Sequence, residues 1–235
     1  MIEEFKRGAK DGIPIALGYF AVSFTFGIAG SVDGLYWWQV VLISMTNLTS
    51  AGQFAGLEVM AAAGSLIELA LTQLVINLRY SLMALSLTQN LDKKFKGIYR
   101  WLYGFAITDE IFAVAATNEK PVRRSYFGGL MVLPYFGWMF GTLFGVVLGN
   151  VLPAVVVSSL GIAIYGMFVA IVVPDAKKDR NILIVVIVAM AISCILKFTP
   201  VFAHISSGFA IIICAVAASA LGALVFPMSY EEADS

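Results

Sequence analysis

Three residues of this 235-residue chain could handle charge where charge is costly: Arg79, Asp109 and Glu110. Each lies inside an otherwise apolar stretch. A charge at the bilayer centre costs about 2.5–3.5 kcal/mol on insertion scales, so none is expected to face lipid unpaired. Arg79 is the one basic residue of fifteen that falls deep within an apolar segment. Asp109 and Glu110 follow Thr108, and as sequence neighbours they project about 100° apart on a helix, so at most one faces Arg79 squarely. Two chemistries fit. The charges can lock two helices together, or one carboxylate can take up and release a proton or meet a substrate ammonium group. Low-dielectric surroundings favour the protonated acid and a nearby arginine opposes it, the balance a proton-coupled step needs.

The second candidate is the stretch Ser44-Met-Thr-Asn-Leu-Thr-Ser-Ala-Gly-Gln53, which interrupts an apolar run over 37–63. Backbone at membrane depth leaves the helical path only where it is buried in protein or lines a wet cavity, and broken helices near the midplane are where many transporters hold substrate. If a half-helix begins after Ser50, its free N–H groups and positive dipole end suit a carboxylate. Asn47, Thr49, Ser50 and Gln53 would add hydrogen bonds, and Asn77, two positions before Arg79, is a further polar candidate. Apolar walls would take an aliphatic side chain.

The elements that must position these groups follow from composition. With 60% hydrophobic and 13% charged residues and a mean hydropathy of +0.89, this is an integral membrane protein with almost no soluble part, since soluble domains carry about 25% charged residues. The formal net charge is zero, which offers nothing to nucleic acid; the surrounding partner is the lipid bilayer. Crossing about 30 Å takes roughly 17–25 residues. The runs 13–32, 37–63, 65–89, 101–117, 126–149, 153–173, 181–197 and 201–226 are the candidates. The expected fold is all-α and polytopic, with about six to eight transmembrane segments, one or two of them discontinuous or re-entrant. It forms one transporter domain over 1–228, and the acidic tail 229–235 is expected to be disordered.

Basic residues gather in four clusters: Lys6/Arg7/Lys10, Lys93/Lys94/Lys96/Arg100, Lys120/Arg123/Arg124 and Lys177/Lys178/Arg180. The positive-inside rule places such clusters in the cytoplasm. Eight full crossings from a cytoplasmic N-terminus would leave 93–100 outside, whereas all four clusters lie inside if 37–63 and 101–117 dip in and return. Each arm of the first dip would have about 11–13 residues, roughly 16–20 Å, enough to reach mid-membrane. The N-terminal stretch shows no small-residue cleavage site, so the first segment reads as a retained anchor.

Gly137, Gly141, Gly145 and Gly149 recur at every fourth position and form a smooth stripe on which another helix can pack closely. A weak internal repeat, read as inverted, sets Phe26-Gly27, a turn at Asp33-Gly34 and the run to Phe54 against Phe144-Gly145, a turn over 150–153 and the run to Phe168. The second copy carries a milder break over 160–166. Glu58 and Glu68 flank an Ala-Ala-Ala-Gly turn and are placed near the membrane surface. Lys197 and His204 flank Pro200 in a short connection, and Cys194 and Cys214 read as small hydrophobes. No P-loop, metal spacing, GxSxG or HExxH is present. A protease with paired aspartates would lack its second buried Asp. An enzyme is not expected, nor a cofactor, metal or catalytic residue.

Four motifs occur in order: Phe26-Gly-Ile-Ala-Gly30, the Ser44-Met…Ser50-Ala-Gly-Gln-Phe54 break, Asn77-Leu-Arg-Tyr80 and Thr108-Asp-Glu110. Together, over about 12–226, the chain resembles the AzlC family, the large subunit of branched-chain amino acid exporters. It departs from that pattern where Tyr80 stands in place of the family's usual His, and where Gly161-Ile-Ala-Ile-Tyr165 stands for Gly-Leu-Asp-Phe-Ala; the missing Asp puts the substrate or coupling ion in question. The resemblance implies export of leucine, isoleucine, valine or methionine across the bacterial cytoplasmic membrane, with a separately encoded small multi-spanning subunit of the AzlD type; proton coupling is the expectation that Arg79, Asp109 and Glu110 add. A homo-oligomer stays open. The rival readings are a passive channel for a small solute and a membrane scaffold in which Arg79 and the carboxylates are purely structural.

Overall fold

The apolar run that begins at Ile13 does not mark the start of the first helix. In the computed structural model, which describes residues 1–118, 121–149, 151–153, 155–156, 159, 166, 169, 172–174, 176–202 and 204–226, α1 spans Ile2–Val32. Glu3 and Glu4 occupy its first turn, where the positive end of the helix dipole favours acidic side chains. The helix therefore extends beyond its apolar part.

The other elements are α2 (Trp37–Thr46), α3 (Ala51–Ala61), α4 (Leu66–Thr88), α5 (Ile98–Gly104), α6 (Asp109–Thr117), α7 (Arg124–Gly149), α8 (Arg180–Phe198), a 3₁₀ turn at Pro200–Phe202 and α9 (Ser207–Val225). Among the described residues all regular structure is helical. Five helices, α1, α4, α7, α8 and α9, are long and apolar enough to cross a membrane. The run 37–63 is carried by α2 and α3 with residues 47–50 between them; at ten and eleven residues each is about 15–17 Å long, half a bilayer core. The run 153–173, with its milder break, lies largely outside the described residues, and the tail 229–235 lies wholly outside them.

Two compact units divide the chain, and the first is Met1–Phe54 with Asn77–Ile162. Its spine is α1 against α7. A Cβ added to Gly8 would stand 2.0 Å from the Tyr126 carbonyl oxygen, one on Gly27 2.2 Å from that of Thr142, and one on Gly145 2.0 Å from that of Phe24. Gly137 and Gly141 meet the backbone of Ala16 and Phe20 in the same way, and Gly149 meets Ile28. The glycine stripe thus does what its spacing predicts, letting two backbones touch. Contact numbers rise together along both helices, so α1 and α7 run parallel. Phe26-Gly27 and Phe144-Gly145 therefore cannot be counterparts of an inverted repeat, which would run antiparallel, and that part of the sequence expectation is corrected.

Leu91 and Val122 form an isolated parallel bridge, closed by Asp92 N–H to Val122 C=O at 3.0 Å and Val122 N–H to Asn90 C=O at 2.8 Å. The chain thus leaves α4 and enters α7 at one end of the unit. The same end carries Arg123 at 3.8 Å from Glu4, Arg124 over the Tyr99 ring at 4.8 Å and Arg7 over the Tyr126 ring at 4.9 Å. Three of the four basic clusters gather there.

In the second unit, Ala55–Ile76 with Ala163–Ser235, α8 and α9 pack through Gly222 against Val185, and the Cys214 thiol donates to the Ala189 carbonyl at 3.2 Å. Both cysteines are free. Glu68, in the first turn of α4, is 5% exposed and accepts from the Ser206 hydroxyl. Ser65 caps its N–H at 3.1 Å, which fixes the start of α4 and turns the carboxylate onto Ser206, beside the first turn of α9. Ser206→Ala strands that buried oxygen and is expected to cost about 1–3 kcal/mol, read as a lower Tm of the purified protein. Ser206→Thr keeps the hydroxyl and should keep most of the stability.

Candidate functional site

Thr108 starts α6: its extended backbone and side-chain oxygen, accepting from Ile111 N–H at 3.4 Å, make it an N-cap. Asp109 and Glu110 consequently occupy the first turn, at the positive end of the helix. Their divergence on the helix is realised in full. Asp109 faces α4, where its Oδ2 lies 2.9 Å from the Arg79 guanidinium. Arg79 also donates to the Tyr80 hydroxyl at 3.1 Å and lies over that ring at 4.9 Å.

Glu110 faces α1. The Tyr19 hydroxyl lies 2.6 Å from its Oε2 and 2.5 Å from the Thr108 hydroxyl. Tyr19 is 6% exposed, and its ring meets Trp138 of α7 edge-on at 5.2 Å. Sequence reasoning missed this tyrosine. The signal was there: a phenol in an apolar span must find a hydrogen-bond partner when buried.

The interruption between α2 and α3 is built by three of the predicted residues, Asn47, Thr49 and Ser50. Asn47 ends α2, and its Oδ1 accepts from both the backbone N–H of Thr49 at 3.1 Å and its hydroxyl at 2.7 Å. Ser50 takes a positive φ of 21°, and Gly52 N–H goes to the Thr49 carbonyl at 2.8 Å. Some of the groups proposed for a ligand are thus engaged in shaping the chain reversal.

Gln53 is different. It is 2% exposed, and its Nε2 donates to the Ser44 hydroxyl at 3.0 Å. Ser44 lies 2.7 Å from the Thr142 hydroxyl, which itself donates to the Trp138 carbonyl at 3.1 Å. Because Thr142 has a single proton, Ser44 is the donor between the two hydroxyls. The chain runs one way, from Gln53 through Ser44 and Thr142 to Trp138. It leaves Gln53 Oε1 and Trp138 Nε1 as buried polar atoms without a hydrogen-bond partner among the described residues. Thr142→Val removes the central hydroxyl at nearly constant shape and is expected to lower stability by about 1–2 kcal/mol, measured as a Tm shift that Thr142→Ser does not reproduce.

Asn77 sits half-buried on α4. The helix is unbroken there, so Asn77 and Arg79 leave it about 200° apart. The structure therefore brings Arg79 and Asp109 together, gives Glu110 to Tyr19, and joins Gln53 to α7. Trp138 lies between the two groups, touching Tyr19 with its ring and receiving the Thr142 hydroxyl on its carbonyl. Among the described residues no three His, Cys, Asp or Glu side chains stand together as a metal site would require.

The profile of the family described as AzlC protein matches residues 14–152, which include all eight predicted site residues. The chain is 29% identical over 140 residues to the inner membrane protein YgaZ of Escherichia coli, covering 58% of this chain and 57% of that one. It is 29% identical over 175 residues to an uncharacterized membrane protein of Archaeoglobus fulgidus, covering 74% and 76%. It is also 28% identical over 147 residues to an uncharacterized membrane protein of Helicobacter pylori, covering 59% and 63%. The match thus spans little more than half the length of YgaZ. No solved structure matches the chain.

Proposed function

The chain belongs to the AzlC family, and from that premise we propose that it is a secondary transporter exporting branched-chain and other hydrophobic amino acids, leucine, isoleucine, valine and methionine among them. In this reading it is the large subunit of a two-component exporter in the bacterial cytoplasmic membrane, driven by protons and completed by a small AzlD-type subunit. The observation that carries the reading is the acid–base group at the start of α6: one carboxylate paired to Arg79, the other held by hydroxyls, in a chain of membrane-crossing helices.

The N-terminus is cytoplasmic in this reading. The shared end of three basic clusters supports it, because the positive-inside rule then puts that end in the cytoplasm. With 91–122 starting and finishing there, α5 and α6 enter the membrane and return, and α2 and α3 do the same from the other face. Substrate would lie against the broken stretch, with Gln53 Oε1 accepting from its ammonium group and the side chain in apolar surroundings.

Efflux of labelled leucine, valine and methionine from preloaded cells carrying the chain and its small partner is the test. Export that needs both subunits supports the proposal; an assembled complex that moves none of them refutes it. The 2.9 Å pairing of Arg79 with Asp109 also suits a static scaffold. Exchanging the two charges, Arg79→Asp with Asp109→Arg, would restore a scaffold and leave a transporter inactive.

A further inference from the structure

We propose that a cleft at the basic end of the first unit binds a single anionic phospholipid, with the headgroup phosphate on Arg124 and Ser125. The proposal goes beyond the transporter reading and needs only that the chain lie in a bilayer. The cleft holds about 350 Å³ and is lined by Ile2 and Phe5 of α1, Tyr99 and Tyr103 of α5, and Arg124 and Ser125 of α7. That volume is at the lower end for small-molecule sites, about 300–1,000 Å³. It has room for a phosphate and its glycerol substituent but not for acyl chains, which have to leave over an apolar rim. Such a rim is present. Ile2 and Phe5 are exposed, and α5 leaves Ile98, Trp101 and Leu102 exposed beside its two tyrosines, the composition that collects at headgroup level.

The occupant follows from how the charges at this end are spent. Arg7 lies 3.3 Å from Glu4 and Arg123 lies 3.8 Å from the same carboxylate. Arg100 donates from Nε to the Phe95 carbonyl at 2.9 Å. Arg124 forms no ion pair among the described residues; its guanidinium lies over the Tyr99 ring at 4.8 Å. Stacking fixes the guanidinium plane and leaves its N–H edge for the paired oxygens of a phosphodiester. The wall behind it is already built. Tyr103 is wedged between Phe95 at 5.3 Å and Phe127 at 5.8 Å, and its hydroxyl would stand 2.8 Å from a Cβ on Gly128. A preformed wall spares the ligand the cost of ordering it. Lys93, Lys94 and Lys96 are exposed on the connection into α5 and add to the positive field. Basic pockets of this kind between membrane helices take acidic headgroups. A zwitterionic lipid carries the same phosphate, but it also brings a quaternary ammonium into that field and so gains less.

Melting of the purified full chain, in micelles doped with dioleoyl phosphatidylglycerol or dioleoyl phosphatidylcholine, tests this. Phosphatidylglycerol should raise the melting temperature about 2–4 °C more than phosphatidylcholine does. Arg124→Gln and Ser125→Glu should each erase that difference. Ser125→Glu puts an acidic side chain in the first turn of α7, where the helix dipole tolerates it, so it should melt like wild type in phosphatidylcholine and decides the matter if Arg124→Gln folds poorly. Lys10→Gln removes a basic residue of the same end that does not line the cleft, and should keep the difference. A preference that survives Ser125→Glu overturns the site, and one lost equally in Lys10→Gln reduces it to diffuse surface charge. Equal stabilisation by the two lipids overturns it as well. Inorganic phosphate that reproduces the phosphatidylglycerol gain overturns the lipid and leaves a site for a free anion.

Discussion

Gly145→Val is expected to remove most of the folded protein from detergent extracts of the membrane. The added Cβ would fall 2.0 Å from the carbonyl oxygen of Phe24, and that obstacle is backbone, which cannot rotate away as a side chain could. Overpacking a fixed core costs about 1–3 kcal/mol and occasionally more. Two helices held in register by further contacts of this kind at Gly8, Gly27, Gly129 and Gly141 have no cheap way to separate at one point only, so the upper end applies. Gly18→Ala is the control. It lies on the same α1, has nothing within 4 Å of its added Cβ, and should be neutral or slightly stabilising because alanine is the better helix former. Fluorescence-detected gel filtration after a heat ramp reads both; equal melting points for the two variants would show that the α1–α7 contact does not hold the unit together.

Arg79→Ala should have the larger functional effect and a smaller structural one. Removing one partner of a fully buried ion pair costs about 3–5 kcal/mol, because the other charge is left stranded. Here the side chains are 40% and 23% exposed, and solvent screening brings the cost to the order of 1–2 kcal/mol, about ten-fold in an equilibrium. Asp109→Asn should behave alike, and the double variant Arg79→Ala with Asp109→Asn should recover stability, since neither charge is then unpaired. Efflux should not recover. If it does, the pair only fastens α4 to α6 and the transport chemistry lies elsewhere.

Much of this was legible in the sequence. Apart from the N-terminal extension of α1, the long helices lie on their apolar runs because hydropathy is a local property, and the glycine stripe declared its use because close backbone approach needs glycine whatever the partner. That Asp109 and Glu110 would diverge followed from helical geometry alone. What could not be read was which helix each would meet. Tyr19 stands 91 positions from Glu110, and Thr142 stands 98 from Ser44; nothing local marks a tyrosine or threonine in an apolar span as a partner of either. The partner of Glu68 was hidden for the same reason, Ser206 being 138 residues away. The direction of the α1–α7 pairing likewise depends on the path of the intervening chain, which residue spacing does not encode.

The parallel seam between α1 and α7 has a consequence for biogenesis. Ribosomes add about 5–20 residues each second, and α7 begins at Arg124, well after α1 ends at Val32. For something on the order of ten seconds, then, α1 sits in the bilayer with its glycine face open to whatever neighbour the insertion machinery supplies. The backbone groove that later admits α7 is, during that interval, a docking strip for the wrong helix. Nascent-chain crosslinking from Gly27 should catch α1 against translocon or insertase segments early, and against α7 only once residue 149 has cleared the exit tunnel.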